Sequence, residues 1–336
     1  MAARRPDAAG ALMALAGSRG LQRVAPLAIL LALALLPAVL SPYLMDLTVK
    51  ILISAIFALS LQLLVGATGL VSLGHAAFLG IGAYVTVLAS PQGEGASLGW
   101  LLPAAMGGAA AYALFVGALS LRTRGVYFIM VTLAFAQMAY FVFHDTKLGG
   151  GSDGIYLYVR PVLRLGDTTL LDLENKRHVY GLVLASLAFT WGGLALLLRS
   201  RFGHALQGIR VNEARMRAVG FRTYGYKLAA FVIAGALAGL AGALLAIQDG
   251  VVNPELLSWH ESGAVLLMII LGGLGPLRGA IVGAVAFTLL KELFASEGLV
   301  GPLAAHWQMT LGFTIIAFVA LLPRGIVGIR WRRGAA

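Results

Sequence analysis

The sequence of 336 residues contains no cysteine. This absence excludes disulfide bonds, a thiolate metal site and a cysteine nucleophile. Charged residues are also scarce, at 12% of the chain against the roughly 25% usual in soluble domains. Hydrophobic residues make up 60%, and the mean hydropathy is +0.89. This composition is typical of a polytopic membrane protein.

Residues that supply energy coupling or catalysis are missing as well. No Asp or Glu lies in the middle of an apolar run, although proton-coupled carriers need ionisable residues within the membrane. No pair of carboxylates, His/Asp cluster or activated nucleophile indicates an enzyme. None of the lysines follows a glycine in a Gly-x4-Gly-Lys-Ser/Thr phosphate loop; they are Lys50, Lys147, Lys176, Lys227 and Lys291. The residues therefore favour neither an enzyme nor an ion-coupled carrier. No cofactor or metal is expected, and an ATPase that drives this chain must be a separate polypeptide.

Apolar runs of a length that crosses a bilayer recur along the chain. They predict spans at 24–40, 48–66, 70–90, 99–121, 125–144, 179–198, 226–248, 262–295 and 305–322. The fold class is thus all-α, a polytopic membrane protein of about eight to ten transmembrane segments that include glycine-broken or re-entrant helices. The basic start and first run could also be a signal peptide, but the long charged region and missing small-x-small site favour a retained span.

Basic connecting segments alternate with neutral or acidic ones. The N-terminal segment 1–23, the loop at Arg122 and Arg124, the interval 199–227 and the tail 323–336 are basic. Such excess charge marks the cytoplasmic side, so both termini are predicted to be cytoplasmic and the insertion 145–177 to lie on the opposite side of a transmembrane domain spanning 24–322. This alternation of sides holds along the whole chain only if the segment 262–295 crosses the membrane twice, or enters it and returns to the same side.

The interval 199–227 has seven basic residues and one acid, Glu213. Its apolar residues recur at helical spacing and predict one amphipathic helix from His204 to Val219, ended by a turn at Gly220. The simpler alternative is an ordinary positive-inside loop with a lipid-facing helix. The basic charge is placed at membrane loops, so no nucleic-acid partner is expected.

Glycine interrupts two apolar segments, one in each half of the chain, and this pattern indicates a translocation path in transporters. The alternative is close helix packing, which we also expect of Gly235, Gly239 and Gly242. The interruptions are Gly66, Gly69, Gly74, Gly80 and Gly82 in the first half, and Gly272, Gly273, Gly275, Pro276 and Gly279 in the second. Polar candidates for lining a path are Gln62, Ser72, His75, Tyr84, Gln137, His144 and Gln248.

Three stretches in order resemble one family. NEARMRAVGF with the following YKLAAFVIAGALAGLAGALLA, GATGLVSLGHAAFLGIGAYV from Gly66 and GGLGPLRGAIVGA from Gly272 are similar to permease subunits of bacterial branched-chain amino acid ABC importers of the LivM type. The resemblance covers roughly residues 45 to 325. It implies that 24–322 is a permease domain in the bacterial inner membrane, with the insertion 145–177 in the periplasm and membrane lipid around the spans. It also implies a heterodimer with a LivH-type permease, two cytoplasmic ATPase subunits and a periplasmic substrate-binding protein.

The resemblance also implies functional residues and a substrate. Glu213, Ala214 and Gly220 match the loop that docks into the ATPase in such permeases, and Arg210 and Arg217 lie beside them. The glycine breaks, rather than the resemblance, predict the path residues, which are Gly69, Ser72, Gly74, His75, Gly272, Gly273 and Gly275. His75 also matches the family's Gly-His motif, yet a lone histidine is more often structural. The implied substrates are leucine, isoleucine and valine. Related importers carry urea, short amides or aromatic acids, and a self-sufficient secondary carrier is a further alternative.

Overall fold

The computed structural model describes residues 30, 32–38, 40–91, 95–165 and 168–328. The predicted N-terminal segment 1–23, much of the predicted span 24–40 and most of the tail 323–336 lie outside these residues. The chain divides into two compact units, Met1–Asp46 and Leu47–Ala336. In the first unit a 3-10 helix covers Leu36–Ala38, and the first long helix begins at Pro42.

The described residues are mostly helical. In chain order the α-helices are α1 Pro42–Gln62, α2 His75–Leu88, α3 Leu98–Ser120, α4 Val126–Asp145, α5 Lys176–Arg199, α6 Arg201–Val211, α7 Glu213–Ala218, α8 Thr223–Asp249, α9 Trp259–Gly272, α10 Leu277–Ala295, α11 Glu297–Val300 and α12 Trp307–Leu321. A π-helix, Leu63–Thr68, continues α1. Short 3-10 helices cover Lys147–Gly149, Gly151–Asp153, Pro254–Leu257, Gly301–His306 and Ile326–Gly328.

Six helical segments in the described part of the chain are long and apolar enough to cross a membrane, and the bent pair α9 and α10 raises the number to seven if it counts as one span. They are Pro42–Thr68, Leu98–Ser120, Val126–Asp145, Lys176–Arg199, Thr223–Asp249 and Ala304–Gly328. The predicted all-α polytopic fold is confirmed. The predicted span 70–90 is wrong in length, because α2 begins only at His75 and its 14 residues extend about 21 Å, short of the roughly 30 Å hydrocarbon core.

Two small antiparallel sheets account for much of the insertion 145–177. Strand β1, Ile155–Tyr156, pairs with β4, Val251–Val252, which joins the insertion to the connection between α8 and α9. Strand β2, Val162–Leu165, pairs with β3, Thr168–Asp172, and Ser97 bridges to Val162. The insertion is therefore anchored to the helical domain by backbone pairing at both of these places.

Helix α8 forms the centre of the core by packing against α2 and α3 through small residues. A Cβ on Gly235 or Gly239 would collide with the Ala113 or Ala109 side chain of α3, and a Cβ on Gly242 would collide with the Leu79 carbonyl of α2. Close approach of this kind is how helices associate inside a membrane, where burial of apolar surface gives little drive. The predicted packing role of these three glycines is confirmed.

Candidate functional site

The first glycine-broken segment begins where α1 changes into the π-helix. This helix ends at Gly69, which has a left-handed conformation with φ of 74°. The Thr68 hydroxyl donates to the Leu64 carbonyl at 2.6 Å. The guanidinium of Arg210, from α6 in the basic loop, donates to the carbonyl of Gly66. A carbonyl released from regular helical bonding within an apolar domain needs such a donor, so Arg210 completes the end of this helix.

The second broken segment is the turn between α9 and α10, whose axes differ in direction by 114°. Gly273 and Gly275 have positive φ, at 117° and 116°, and carry the chain through the turn. Gly272 serves the packing of the two arms instead, because a Cβ there would collide with the Gly279 carbonyl. Close packing, the alternative given for these glycines, therefore applies to Gly272, and a role of Gly273 and Gly275 in a translocation path stays a prediction.

The two broken segments meet at what we call the break junction, formed by Gln62, Gly66, Gly273, Gly275 and Pro276. The Gln62 amide donates to the carbonyl of Gly273 at 3.4 Å and to that of Pro276 at 3.2 Å. A Cβ on Gly66 would lie 3.4 Å from the Gly275 carbonyl oxygen. Gln62 is buried, with 1% of its surface exposed. The end of α1 thus supplies a donor to two carbonyls of the second turn, and the Pro276 carbonyl also accepts from the Gly279 amide at 2.9 Å.

Ser72 and His75 are buried within the chain. The Ser72 hydroxyl accepts from the Gly74 amide at 3.2 Å, and the Gly74 Cα packs against the Thr132 carbonyl. His75 Nε2 lies 2.8 Å from the Ser60 hydroxyl, and its ring stacks on Phe57. The hydroxyl of Ser60 itself donates to the Phe57 carbonyl, so it accepts from Nε2. These contacts fix the start of α2, and a role of either residue in a path stays a prediction.

The basic loop contains two helices rather than the predicted single helix from 204 to 219. The break is at Asn212, which is extended at φ −156° and ψ 97° and accepts the Arg215 amide at 2.9 Å with its side chain. Asparagine is among the strongest N-cap residues because its carbonyl satisfies an amide that has no helical partner. The single-helix prediction considered apolar spacing and missed this capping signal. Val219, expected on the apolar face, is 71% exposed.

The predicted turn at Gly220 is confirmed, with φ of 97°. The Gly220 amide donates to the Arg217 carbonyl at 2.9 Å, and the Phe221 amide donates to the Met216 carbonyl at 3.0 Å. This pair of bonds is the Schellman motif, which ends a helix with a residue of positive φ. Helix α7 consequently has a fixed end, and Ala214 and Val219 lie on its exposed surface.

Glu213 joins α7 to the first turns of α8. Its carboxylate accepts from Arg217 at 2.6 Å, Lys227 at 2.6 Å and Thr223 at 3.0 Å. Partial burial raises the pKa of this carboxyl, but hydrogen bonds from Lys227 and Arg217 and the charge of Lys227 outweigh burial and lower the pKa to about 2. Glu213 is therefore ionised at neutral pH, and its hydrogen bonds hold α7 against the start of α8.

Several residues that organise this region were not singled out for these roles by sequence reasoning. Gln62 is predicted from sequence only to line a path, which stays a prediction, and the structure shows that it also links the two breaks. The Ser262 hydroxyl accepts from the Ala76 amide at 2.9 Å and completes the start of α2. Lys227 and Thr223 had no assigned partner. Only Asn212 followed by an acid carried a local signal, since that order is typical of a helix N-terminus.

A model of the permease component of branched-chain amino acid transport systems matches residues 43–320. The chain belongs to this permease family. It is 30% identical to the high-affinity branched-chain amino acid transport system permease protein LivM of Escherichia coli (strain K12), over 94% of this chain and 77% of that protein. It is 28% identical to LivM of Salmonella typhimurium over the same shares of each chain.

The permease also resembles a second type of relative, at 26% identity to the LivH permease protein of Escherichia coli (strain K12), over 82% of this chain and 91% of that protein. No solved structure matches it. Its relatives are transport permeases, and the apolar helices make it a multi-pass membrane protein. As an ABC transporter permease it works with other subunits.

Proposed function

We propose that this permease is a membrane subunit of an ABC importer that moves leucine, isoleucine and valine into a bacterial cell across the inner membrane. The observation that carries the proposal is the ordered basic loop. Its helices α6 and α7 have N-cap residues, α7 ends in a glycine turn, and Arg210 joins α6 to the first broken segment. A separate ATPase needs such a rigid connection to the membrane domain. The branched-chain substrates named for the LivM relatives support the choice of cargo.

The proposed assembly has a LivH-type permease as the second half of a heterodimer. Two ATPase subunits lie on the side of the basic loops, and a periplasmic binding protein delivers substrate on the side of the insertion 145–177. Both termini, 1–23 and 323–336, are placed in the cytoplasm because the basic loops share their side of the membrane. Urea, a short amide or an aromatic acid as cargo remains the alternative, with a self-sufficient carrier as the less favoured one.

The ATPase-coupling residues have different tasks in this proposal. The apolar surface that docks on the ATPase consists of Ala214, Val211 and Val219. Val211 is 84% exposed and Val219 is 71% exposed. Gly220 fixes the end of α7, and Glu213 with Arg217 holds α7 to α8. Arg210 passes movement of α6 to the π-helix through the Gly66 carbonyl.

The proposed translocation path follows the glycine-broken segments. Its residues are Gly69, Ser72, Gly74, His75, Gly272, Gly273 and Gly275. Uncharged backbone groups can replace water around the ends of a zwitterionic amino acid without the cost of burying a charged side chain. Ser72 and His75 are fully buried in this conformation, so the path at their level opens only in another state of the transport cycle.

Docking is tested by co-purifying the tagged chain with its LivH-type partner and ATPase subunits. The double variant Val211→Asp, Val219→Asp should lose the ATPase while keeping the partner permease, because charge is introduced on an exposed apolar surface. The matched control is Tyr158→Asp, a substitution at a residue 74% exposed in the insertion. A chain that takes up leucine in vesicles with no ATPase present would establish the secondary carrier instead.

Coupling and cargo are tested with the reconstituted assembly. Arg210→Met should leave ATP hydrolysis measurable but reduce uptake of radiolabelled leucine about tenfold or more, since a hydrogen bond from a charged group contributes roughly 1.5–3 kcal/mol. Arg215→Met, at an exposed residue of α7, is the control and should transport normally. Equal uptake by both variants would remove Arg210 from the coupling route, and uptake of urea but not leucine would exclude the proposed substrates.

A further inference from the structure

A basic cleft lies where three membrane spans end. The spans are α3, which ends at Ser120, α4, which begins at Val126, and α8, which begins at Thr223. Two adjoining openings of about 400 and 370 Å³ share Arg124, Glu213 and Lys227. The basic residues that line them are Arg122, Arg124, Arg210, Arg217, Arg222 and Lys227. Volumes of this size suit a small ligand, for which sites measure about 300–1,000 Å³.

The cleft has more positive charge than its own residues neutralise. Glu213, the one acid in its lining, is already bound to Arg217 and Lys227, and Arg210 donates to a backbone carbonyl. Arg122 and Arg124 are exposed and make no ion pair with any residue that the structure describes. Their guanidinium groups are thus available to an anion, and guanidinium binds phosphate through two parallel hydrogen bonds.

An exposed apolar surface continues from the cleft along α4. Phe128 and Ile129 line the cleft, and Tyr127 and Met130 beside them are 74% and 61% exposed. Tyr224, which also lines the cleft, is 42% exposed, and its hydroxyl donates to the Ala118 carbonyl at 2.9 Å. Tyrosines are enriched where a membrane protein meets the lipid headgroups. A molecule with a phosphate and a hydrocarbon chain therefore matches both parts of this surface.

We propose that the cleft binds the headgroup of an anionic glycerophospholipid, with the phosphate on Arg122 and Arg124 and an acyl chain along Tyr127 and Met130. Basic pockets between the ends of transmembrane helices recognise anionic lipids in this way, and each arginine near such a headgroup contributes about fivefold in affinity. The bound lipid would lie between the loop of Arg124 and the basic loop that contains Glu213 and Lys227.

The test uses native mass spectrometry of the purified full-length chain in detergent, titrated with phosphatidylglycerol, phosphatidylcholine or inorganic phosphate. The wild type should retain phosphatidylglycerol in preference to phosphatidylcholine. The double variant Arg122→Gln, Arg124→Gln should raise the dissociation constant for phosphatidylglycerol roughly 30-fold. The matched control Arg199→Gln, Arg201→Gln removes the same charge from exposed residues of the same basic side that do not line the cleft, and it should bind like the wild type.

Four results would overturn the proposal. Equal retention of the two lipids by the wild type would exclude charge recognition, and equal losses in both double variants would indicate diffuse attraction to the whole basic side. Displacement of phosphatidylglycerol by millimolar inorganic phosphate would make the cleft a site for a free anion. Unchanged lipid retention together with loss of the ATPase subunits on co-purification would assign the cleft to a protein interface. Lipid retention is measured without transport, so the outcome is independent of cargo and coupling.

Discussion

Replacing Gln62 by leucine is expected to weaken the break junction. The Gln62 side chain is buried, and its amide donates to the carbonyls of Gly273 and Pro276 at 3.4 and 3.2 Å. Leucine has a similar volume, so the change removes the donor without opening a large cavity. The Gly273 carbonyl then loses its hydrogen-bond donor, whereas the Pro276 carbonyl keeps the Gly279 amide, which donates to it at 2.9 Å.

The expected loss of stability follows from these contacts. A buried acceptor left without its partner costs about 1–3 kcal/mol, and the bond at 3.4 Å is at the weak end of that range. The Oε1 atom of Gln62 has no hydrogen-bond partner among the described residues, so its removal returns part of the loss. The net effect is about 1 kcal/mol, or a drop of roughly 2 °C in the apparent melting temperature.

The assay compares Gln62→Leu with Gln137→Leu in the purified full-length chain. Gln137 lies in the apolar helix α4, and its buried Oε1 has no hydrogen-bond partner in the described structure. Its replacement should therefore be neutral or slightly stabilising. Scanning fluorimetry gives the melting temperatures, and amide hydrogen exchange reports on residues 272–278, where only the Gln62 variant should exchange faster. Equal melting shifts in the two variants, or unchanged exchange at 272–278 in Gln62→Leu, would show that Gln62 does not stabilise the break junction.

Substitutions at four further positions test the loop and the start of α2. The pKa of Glu213 is lowered in the folded state, so the carboxylate stabilises the fold fully above about pH 4.5, and this stabilisation is lost as the pH falls towards 2. Glu213→Gln should therefore reduce the free energy of unfolding by about 1–2 kcal/mol at pH 7. A difference in melting temperature between variant and wild type that does not shrink by pH 3 would contradict this. Gly220→Val should speed amide exchange in α7 more than Gly220→Asn, because asparagine tolerates a positive φ. Identical exchange rates in the two variants would show that the positive φ at Gly220 does not stabilise α7. Gly74→Leu should abolish the monodisperse folded protein through collision with the Thr132 carbonyl, whereas Ser72→Ala should cost about 1 kcal/mol; gel filtration that shows a normal Gly74→Leu protein would disprove the close contact.

Breaks in the helices could be predicted because their cause is local. Glycine and proline act on their own backbone, so the positions of Gly273, Gly275 and Pro276 in the sequence mark the second turn directly. The end of the basic loop at Gly220 was predictable for the same reason. Composition likewise sufficed for the fold class, because long apolar runs admit few structures in a membrane other than helices.

The partners of the broken backbone could not be predicted, since they come from distant parts of the chain. Gln62 is 211 residues from Gly273, and Arg210 is 144 residues from Gly66. Hydropathy also failed to give the length of α2, because its start at His75 depends on a tertiary contact. The Ser262 hydroxyl, 186 residues away from Ala76, completes that helix end. A window of apolar residues includes none of this information.

The contacts form one continuous connection from the basic loop to the second broken segment. Arg210 of α6 holds the Gly66 carbonyl in the π-helix, and Gln62, one turn earlier on the same chain segment, holds the carbonyls of Gly273 and Pro276. Each link in this series ends on a backbone carbonyl at a helix break, although the Pro276 carbonyl also accepts from the Gly279 amide. Because an unpartnered carbonyl in an apolar interior is costly, displacement of α6 either carries the π-helix with it or must supply another donor. Glycine at the breaks gives the backbone freedom to move, and we expect the two long polar side chains to make the two breaks move together.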